Sequence, residues 1–299
     1  MKTFLFEILR FLVLMLLTAF GIIFIQFYIV KSEGIIIEKS KNILVLGDSH
    51  TECAIDDQIV LRCANFSESG TTYYYSLLKL KKILHDNNQI DTLLLSFHFG
   101  SIDKDNDEEY LYNKAYNHER LKKVIPFFTI KDYTEYYDKI LLIESMLNSP
   151  LHYFPFIFSG LLNGNYQTPL MNLGRFSASN RNELKEDLQK RLEAGPFKVK
   201  TDYSQNEINL LFHIDQVCKD NHVKLILINT PIYHAQNYTD ICLYLRFLEM
   251  YPDKFTVWDF SSFNPGEDGF SDVSHLNLSG ARAFSIFLNK ELSSPTSVK

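Results

Sequence analysis

The sequence predicts an α/β protein, a three-layer doubly wound parallel sheet preceded by one transmembrane helix. Three observations carry that prediction. Five short apolar runs, at 43–46, 60–66, 91–99, 223–229 and 255–260, each stop at turn-forming residues, as buried strands do. Segments with helical spacing of apolar residues separate them, at 73–85, 204–221, 240–250 and 279–292. Strand, helix and strand in alternation give parallel pairing through right-handed crossovers. The third observation is an uncharged stretch of twenty residues from Phe11 to Val30.

That stretch is long enough to cross a bilayer core, and Lys2 and Arg10 precede it. A secretory signal has a shorter apolar region, about 7–15 residues, followed by small residues at a cleavage site, so an uncleaved anchor is expected. A soluble helix apolar on every face would need a large protein around it. Lys31, Lys39 and Lys41 follow the span and blunt the charge bias that sets orientation. The functional reading below places the C-terminal domain on the extracytoplasmic side. Residues 1–40 are thus anchor and linker, and residues 41–299 the α/β domain, with an insertion at about 101–200.

Within the domain the first strand, Ile43 to Leu46, breaks into Gly47-Asp48-Ser49-His50, and the second is followed by the turn cluster Ser67 to Thr72 with a capping threonine. After the third strand the alternation lapses for about a hundred residues. The lapse begins with the acidic run Asp103 to Glu109 and ends near Gly195-Pro196. It reads as an insertion that shapes or covers a site. The acidic run lacks the spacing of a calcium loop and reads as a solvated loop.

Composition excludes several classes. A net charge of −6 without a basic block argues against a nucleic-acid partner. Cys53, Cys63, Cys218 and Cys242 lie far apart with no C-x-x-C spacing, so neither a zinc ribbon nor a thioredoxin-type site is indicated, and any disulfide pairing is open. The 17 Tyr and 24 Phe suit an aromatic core and a surface near a membrane, and also contact with carbohydrate or acyl chains.

The candidate chemistry lies at the two ends of the domain. Ser49 follows the first strand, at the carboxyl edge where open α/β sheets place ligands. A serine hydroxyl attacks only when a histidine accepts its proton, and the histidine works best when a carboxylate holds its tautomer. Asp272-Val273-Ser274-His275 supplies both groups three residues apart. An oxyanion formed there needs preorganised donors, for which the Ser49 N–H and Gly70 are candidates, glycine permitting close approach of backbone to a ligand. Asp48-x-His50 matches one fragment of a binuclear metallophosphoesterase, but no G-N-H-[DE] accompanies it, so His50 reads as a hydrogen-bonding side chain of the strand-1 loop and no metal is expected. The nucleophile elbow G-x-S-x-G is absent.

Gly47-Asp48-Ser49 after the first strand, with Asp272-x-x-His275 before the last helix, resembles the SGNH (GDSL-type) hydrolase superfamily. The order of strands and helices over 41–292 is similar to its flavodoxin-like fold. The resemblance implies Ser49 as nucleophile, His275 as base, Asp272 as its partner and Gly70 as the glycine of the second motif block. It implies cleavage or transfer of O-acyl groups, commonly acetyl groups on sugars, with no cofactor. The third block departs from the family: where G-x-N is usual, with the asparagine donating to the oxyanion, this chain has Ser96-Phe97-His98-Phe99-Gly100. Either His98 or Ser96 takes over as donor, or the oxyanion hole is incomplete. His98 also reads as a satisfied core histidine.

Two functions follow as expectations. The first is a membrane-anchored serine esterase or O-acyltransferase acting on O-acyl groups of an envelope or exported polysaccharide, its partners being the acylated carbohydrate and, through Phe11–Val30, the membrane. The second is a catalytically weak glycan-binding or assembly module on the same fold. Protein partners are not specified by the sequence.

Overall fold

The structure, a computed structural model, describes residues 2–32, 34–164, 173–193, 200–234 and 241–293. The Gly195-Pro196 break and the tail beyond 293 lie outside them. In chain order the elements are α1 (Lys2–Ser32), β1 (Ile43–Leu46), α2 (Ser49–Ala54), β2 (Cys63–Asn65), α3 (Tyr73–Asp86), β3 (Thr92–Ser96), α4 (Lys114–Val124), α5 (Ile130–Glu135), α6 (Lys139–Asn163), α7 (Leu184–Glu193), α8 (Gln205–Asp220), β4 (Lys224–Asn229), α9 (Ile241–Met250), β5 (Thr256–Asp259) and α10 (Leu278–Ser293). They form two compact units, residues 36–113 with 173–299, and residues 1–35 with 114–172.

The larger unit is the sheet domain. All pairings are parallel and the strand order is β2-β1-β3-β4-β5. The register runs Val45 to Leu94 to Ile226 to Thr256. Alternate side chains take opposite faces. Ile43, Val45, Leu94, Ile226 and Ile228 form one core with Ala54 of α2 and with Ala281, Phe284 and Leu288 of α10. Leu44, Leu46, Leu93, Leu95 and Leu227, equally buried, point to the other face, where α3 and α8 pack together. This is a doubly wound α/β sheet, and its strand runs are apolar throughout because both faces are covered. β2 is shorter than the sequence suggests, since Val60 sits in a turn that receives the Cys63 N–H and donates to the Asp56 carbonyl.

The order of the strands fixes where a ligand goes. From β1 the chain moves to β2 on one side, then crosses back to place β3 on the other, so the switch point lies between β1 and β3 at their carboxyl ends. Ser49 follows β1 and His98 follows β3.

The smaller unit is helical. α1 contains, within Thr3–Ser32, an eighteen-residue stretch of mean hydropathy 2.6 and, among the described residues, is the one helix long and apolar enough to cross a membrane. α6 packs on α1 and on α4, burying Leu141, Leu142, Tyr153 and Ile157, while Gln26 and Val30 are the buried positions of α1. Its opposite side exposes Leu147, Leu151, Phe154 and Phe158, an apolar stripe at helical spacing. The stretch 101–200, read from the sequence as one insertion into the sheet domain, is therefore divided. Residues 101–113 and those from 173 onward belong with the sheet, whereas 114–172 group with α1 because α6 buries its apolar face within that helical unit.

Candidate active site

The end of β1 is shaped by one glycine. Gly47 has φ of +150°, and a Cβ there would lie 2.2 Å from Ser96 Cβ and 2.7 Å from Thr51 Oγ1. Only a residue without a side chain lets β1 turn this tightly against β3. Asp48 follows as the N-cap of α2, its Oδ1 accepting the His50 N–H at 3.0 Å, so Ser49 occupies the first helical position. N–H groups in the first turn of a helix have no partner within the helix, which leaves the Ser49 N–H available to the cleft.

The distant segment arrives from the loop before α10. Asn277 caps that helix, its Oδ1 accepting the N–H groups of Ser279 and Gly280 at 2.9 and 3.1 Å. Asp272, almost fully buried, folds the loop on itself through Oδ1, which accepts the N–H groups of Ser274 (2.8 Å) and His275 (2.9 Å). The same carboxylate meets His275 Nδ1 at 2.9 Å from each oxygen, and His275 Nε2 lies 2.7 Å from Ser49 Oγ. Burial alone would raise the Asp272 carboxyl; the hydrogen bond and attraction of His275 and the two backbone N–H groups outweigh it and hold the pKa below its ordinary value. The ionised carboxylate accepts the proton on Nδ1, so Nε2 is the basic nitrogen and faces the hydroxyl. A chain of this kind can take the serine proton as Oγ attacks.

The strand-3 residues have another occupation. Ser96 Oγ donates to Asp48 Oδ1 at 2.9 Å, and His98 Nε2 lies 2.9 Å from Asp48 Oδ2. His98 Nδ1 accepts the Gly100 N–H at 3.1 Å. With Nδ1 an acceptor, the ring is the Nε2–H tautomer and its single donor goes to Asp48. His98 Nε2 is therefore directed at Asp48, where the sequence reading expected it to serve an oxyanion, and Ser96 is engaged as well. The two instead join β3 to the residue before the nucleophile. Burial would raise Asp48, but the attraction and hydrogen bond of His98, followed by His50, hold its carboxyl well below the usual range. His50 stacks on His98 with ring centroids 3.9 Å apart, and lies 5.2 Å from the His275 ring. Burial first, then the neighbouring His98, keeps His50 well below its ordinary pKa, hence neutral. Gly70, with φ of +67°, lines the cleft beside Ser49.

Ser49 and His275 stand where two clefts meet. The inner one, of about 250 Å³, runs past Gly70, His98 and Tyr110 to a wall of Thr71, Thr72 and Glu207. The outer one, of about 630 Å³, is bordered by Glu52 and by Ser177 to Arg181, which come from the sequence's insertion. Asn106 and Tyr110, in and just after the acidic run, also line the inner cleft. Two acids of that run are structural, while Glu108 and Glu109 are exposed: Asp103 pairs with Lys200, and Asp107 accepts from Ser204 Oγ at 2.5 Å and from Asn206 Nδ2 at 3.2 Å.

Glu207 is the cleft residue that sequence reasoning missed. Its position three residues after Ser204 matches a capping box, and Ser204 Oγ does accept the Glu207 N–H at 2.9 Å. The Glu207 carboxyl, however, leaves its own helix and accepts the N–H of Tyr73, at the start of α3, at 3.0 Å. The signal is a carboxylate on the buried side of α8, in series with Ile208, Leu211 and Ile214. Burial, with Asp107 and Asp48 adding to it, pushes this carboxyl from 4.5 up to about 8. The folded protein thus keeps a proton that the unfolded chain loses above pH 4.5. The stability this provides is complete below that value and is lost as the pH rises through 8, at ~1.4 kcal/mol per pH unit as an upper bound. Denaturant midpoints measured between pH 5 and pH 8.5 are expected to fall in the wild type and to fall much less in Glu207→Gln; parallel profiles would refute this.

Among known proteins, no family model and no curated protein matches the chain. Among solved structures, a protein from Streptococcus pneumonia provisionally described as a platelet activating factor is similar, with a TM-score of 0.40 and 13% identity over 96% of this chain and 98% of that chain.

Proposed function

We propose that this chain is a membrane-anchored serine esterase or O-acyltransferase of the SGNH (GDSL-type) kind, acting on short O-acyl groups, acetyl foremost, of an envelope or exported polysaccharide. The observation that carries the reading is the Ser49–His275–Asp272 hydrogen-bonded chain at the sheet's switch point, with 2.7 Å between Oγ and Nε2. Ser49 Oγ attacks the ester carbonyl as its proton passes to His275 Nε2. The carbonyl oxygen, now an oxyanion, is met by the Ser49 N–H and by the backbone at Gly70. The C–O bond to the alcohol then breaks, and the alcohol leaves with the proton from His275, so the acyl group remains on Ser49. Water or a second sugar hydroxyl repeats the sequence in reverse, giving hydrolysis or transfer. Asp272 stays ionised throughout and stabilises the imidazolium.

Two further features support the substrate and the location. Among the described residues the inner cleft has no aliphatic side chain on its wall, and at about 250 Å³ it is smaller than the roughly 300–1,000 Å³ of drug-sized sites, which suits a short acyl group over a long acyl chain. α1 would hold the protein at the membrane, with the exposed stripe of α6 adding apolar surface in the same helical unit, and the domain would face the extracytoplasmic polysaccharide. The second reading, a glycan-binding or assembly module with weak chemistry, is favoured by the engagement of Ser96 and His98 with Asp48, since losing one oxyanion donor costs on the order of 10²–10³ in rate. A fluorophosphonate separates the two readings. The enzyme is expected to be labelled at Ser49 and to lose turnover of p-nitrophenyl acetate in step with labelling, while a protein that is never labelled fits the module.

A further inference from the structure

The inner cleft has a wall that the chemistry of Ser49 does not use. Thr71 Oγ1, Thr72 Oγ1 and Glu207 Oε1 all belong to residues lining it, are buried, and have no hydrogen-bond partner among the described residues. Buried polar atoms in folded proteins are satisfied with few exceptions, so three orphans on one wall mark a place that something polar occupies. Thr72 makes the case sharper. It is the N-cap of α3, where a threonine oxygen ordinarily accepts a backbone N–H from the first turn, yet it makes no such bond. The Tyr73 N–H at that helix start is taken by Glu207 Oε2.

We infer that this wall is a hydroxyl-recognition subsite, in which Thr71, Thr72 and Glu207 hydrogen-bond the neutral sugar residue that carries the ester. The inference rests on the reading of Ser49 as the acyl-accepting nucleophile. Three features select this ligand class. Among the described residues no lysine or arginine lines the inner cleft, whereas Asp48 and Glu207 do, so a phosphate or carboxylate finds no counter-charge there. The described lining has no aliphatic side chain, and its apolar surface is that of aromatic rings such as Tyr73 and Tyr110, which suits the face of a sugar ring better than a flexible tail. A sugar hydroxyl both donates and accepts, which matches two threonine hydroxyls beside a carboxyl group. Burial keeps that carboxyl protonated at neutral pH, so Glu207 Oε1 meets a ligand oxygen as a neutral group and not as an anion.

A site built around a substrate hydroxyl discriminates strongly against partners that lack it, because its own buried groups are then left unpaired. The test uses the full-length protein in detergent micelles and two esters, an O-acetylated methyl glucoside and p-nitrophenyl acetate, the second having no sugar hydroxyls. Thr72→Val removes a hydroxyl at constant shape and is expected to lower the sugar-to-aryl ratio of kcat/KM roughly tenfold. In parallel, saturation-transfer NMR follows binding of methyl glucoside, methyl galactoside and methyl N-acetylglucosaminide to Ser49→Ala protein, with and without Thr72→Val. A ratio and a binding level both indifferent to Thr72→Val overturn the subsite, as does failure of every glycoside to bind. If the wild type turns over neither ester, the nucleophile reading fails by itself. Glycoside binding weakened by Thr72→Val would then still establish the wall as a sugar site.

Discussion

Ser49→Ala is expected to abolish turnover of a chromogenic acetyl ester, with a fall in kcat of roughly 10⁶-fold, the order seen when the serine of such a triad is removed. The change deletes one oxygen, whose described partner is His275 Nε2 at 2.7 Å. It sits at the first position of α2, where alanine is an excellent helix former, so the thermal midpoint should stay within a degree or two of the wild type. The residual rate should be that of a cleft which still binds and polarises the ester but has no nucleophile. Turnover unchanged by the substitution would remove the enzyme reading altogether, because that reading rests on the contact of the Ser49 hydroxyl with the carboxylate-held His275. A fall together with loss of folding would instead mean that the hydroxyl is structural.

The sheet and the two ends of the site were legible in the sequence, each for a physical reason. Strands buried on both faces read as unbroken apolar runs, so β1, β3 and β4 declare themselves without ambiguity. Ser49 and the pair Asp272 and His275 are legible as hydrogen-bonded partners because the proposed chemistry demands fixed residue types close to strand or helix ends. What could not be read is the direction in which polar side chains turn. His98 follows β3 as an oxyanion donor would, yet Asp48 captures its one donor and Gly100 occupies the other nitrogen. Nothing in the spacing of Ser96 and His98 records that a carboxylate at the end of the neighbouring strand, forty-eight residues before Ser96, lies beside them.

Glu207 was hidden in a similar way. The pattern from Ser204 to Glu207 is that of a local cap, and half of the cap forms, but the carboxyl serves another helix brought near by the packing of α3 on α8. The division of the 101–200 stretch was equally out of reach, since its aromatic helices carry apolar faces that suit a sheet and a neighbouring apolar helix alike. Only the observed packing of α6 on α1 decides between them. Long-range choices among partners of equal hydrophobicity leave no local mark.

Asp272→Asn is expected to lower kcat by about 10⁴-fold while KM and stability change little, and the reason lies in how the loop holds this side chain. Oδ1 of Asp272 accepts two backbone N–H groups, from Ser274 and His275. An asparagine keeps those bonds only by placing its carbonyl oxygen there, which turns its NH₂ toward His275 Nδ1. The Nδ1–H then meets the NH₂ donor as well as the carbonyl oxygen, since Nδ1 lies 2.9 Å from both positions, and that repulsion favours the tautomer in which Nδ1 accepts and the imidazole proton moves to Nε2. That nitrogen then donates toward Ser49 Oγ and cannot accept its proton. The backbone therefore favours the wrong tautomer, and the fold has no reason to fail. Nitrogen-15 spectra of labelled His275 should show a protonated Nδ1 in the wild type and a protonated Nε2 in the variant. Asp272→Ala differs in kind: it strips both backbone N–H groups of their acceptor, which costs about 1–3 kcal/mol for each group left unsatisfied, so it should lower the denaturant midpoint where Asp272→Asn does not. Activity of Asp272→Asn within tenfold of wild type, with Nε2 free of its proton, would show that the carboxylate shapes the loop and takes no part in holding the base.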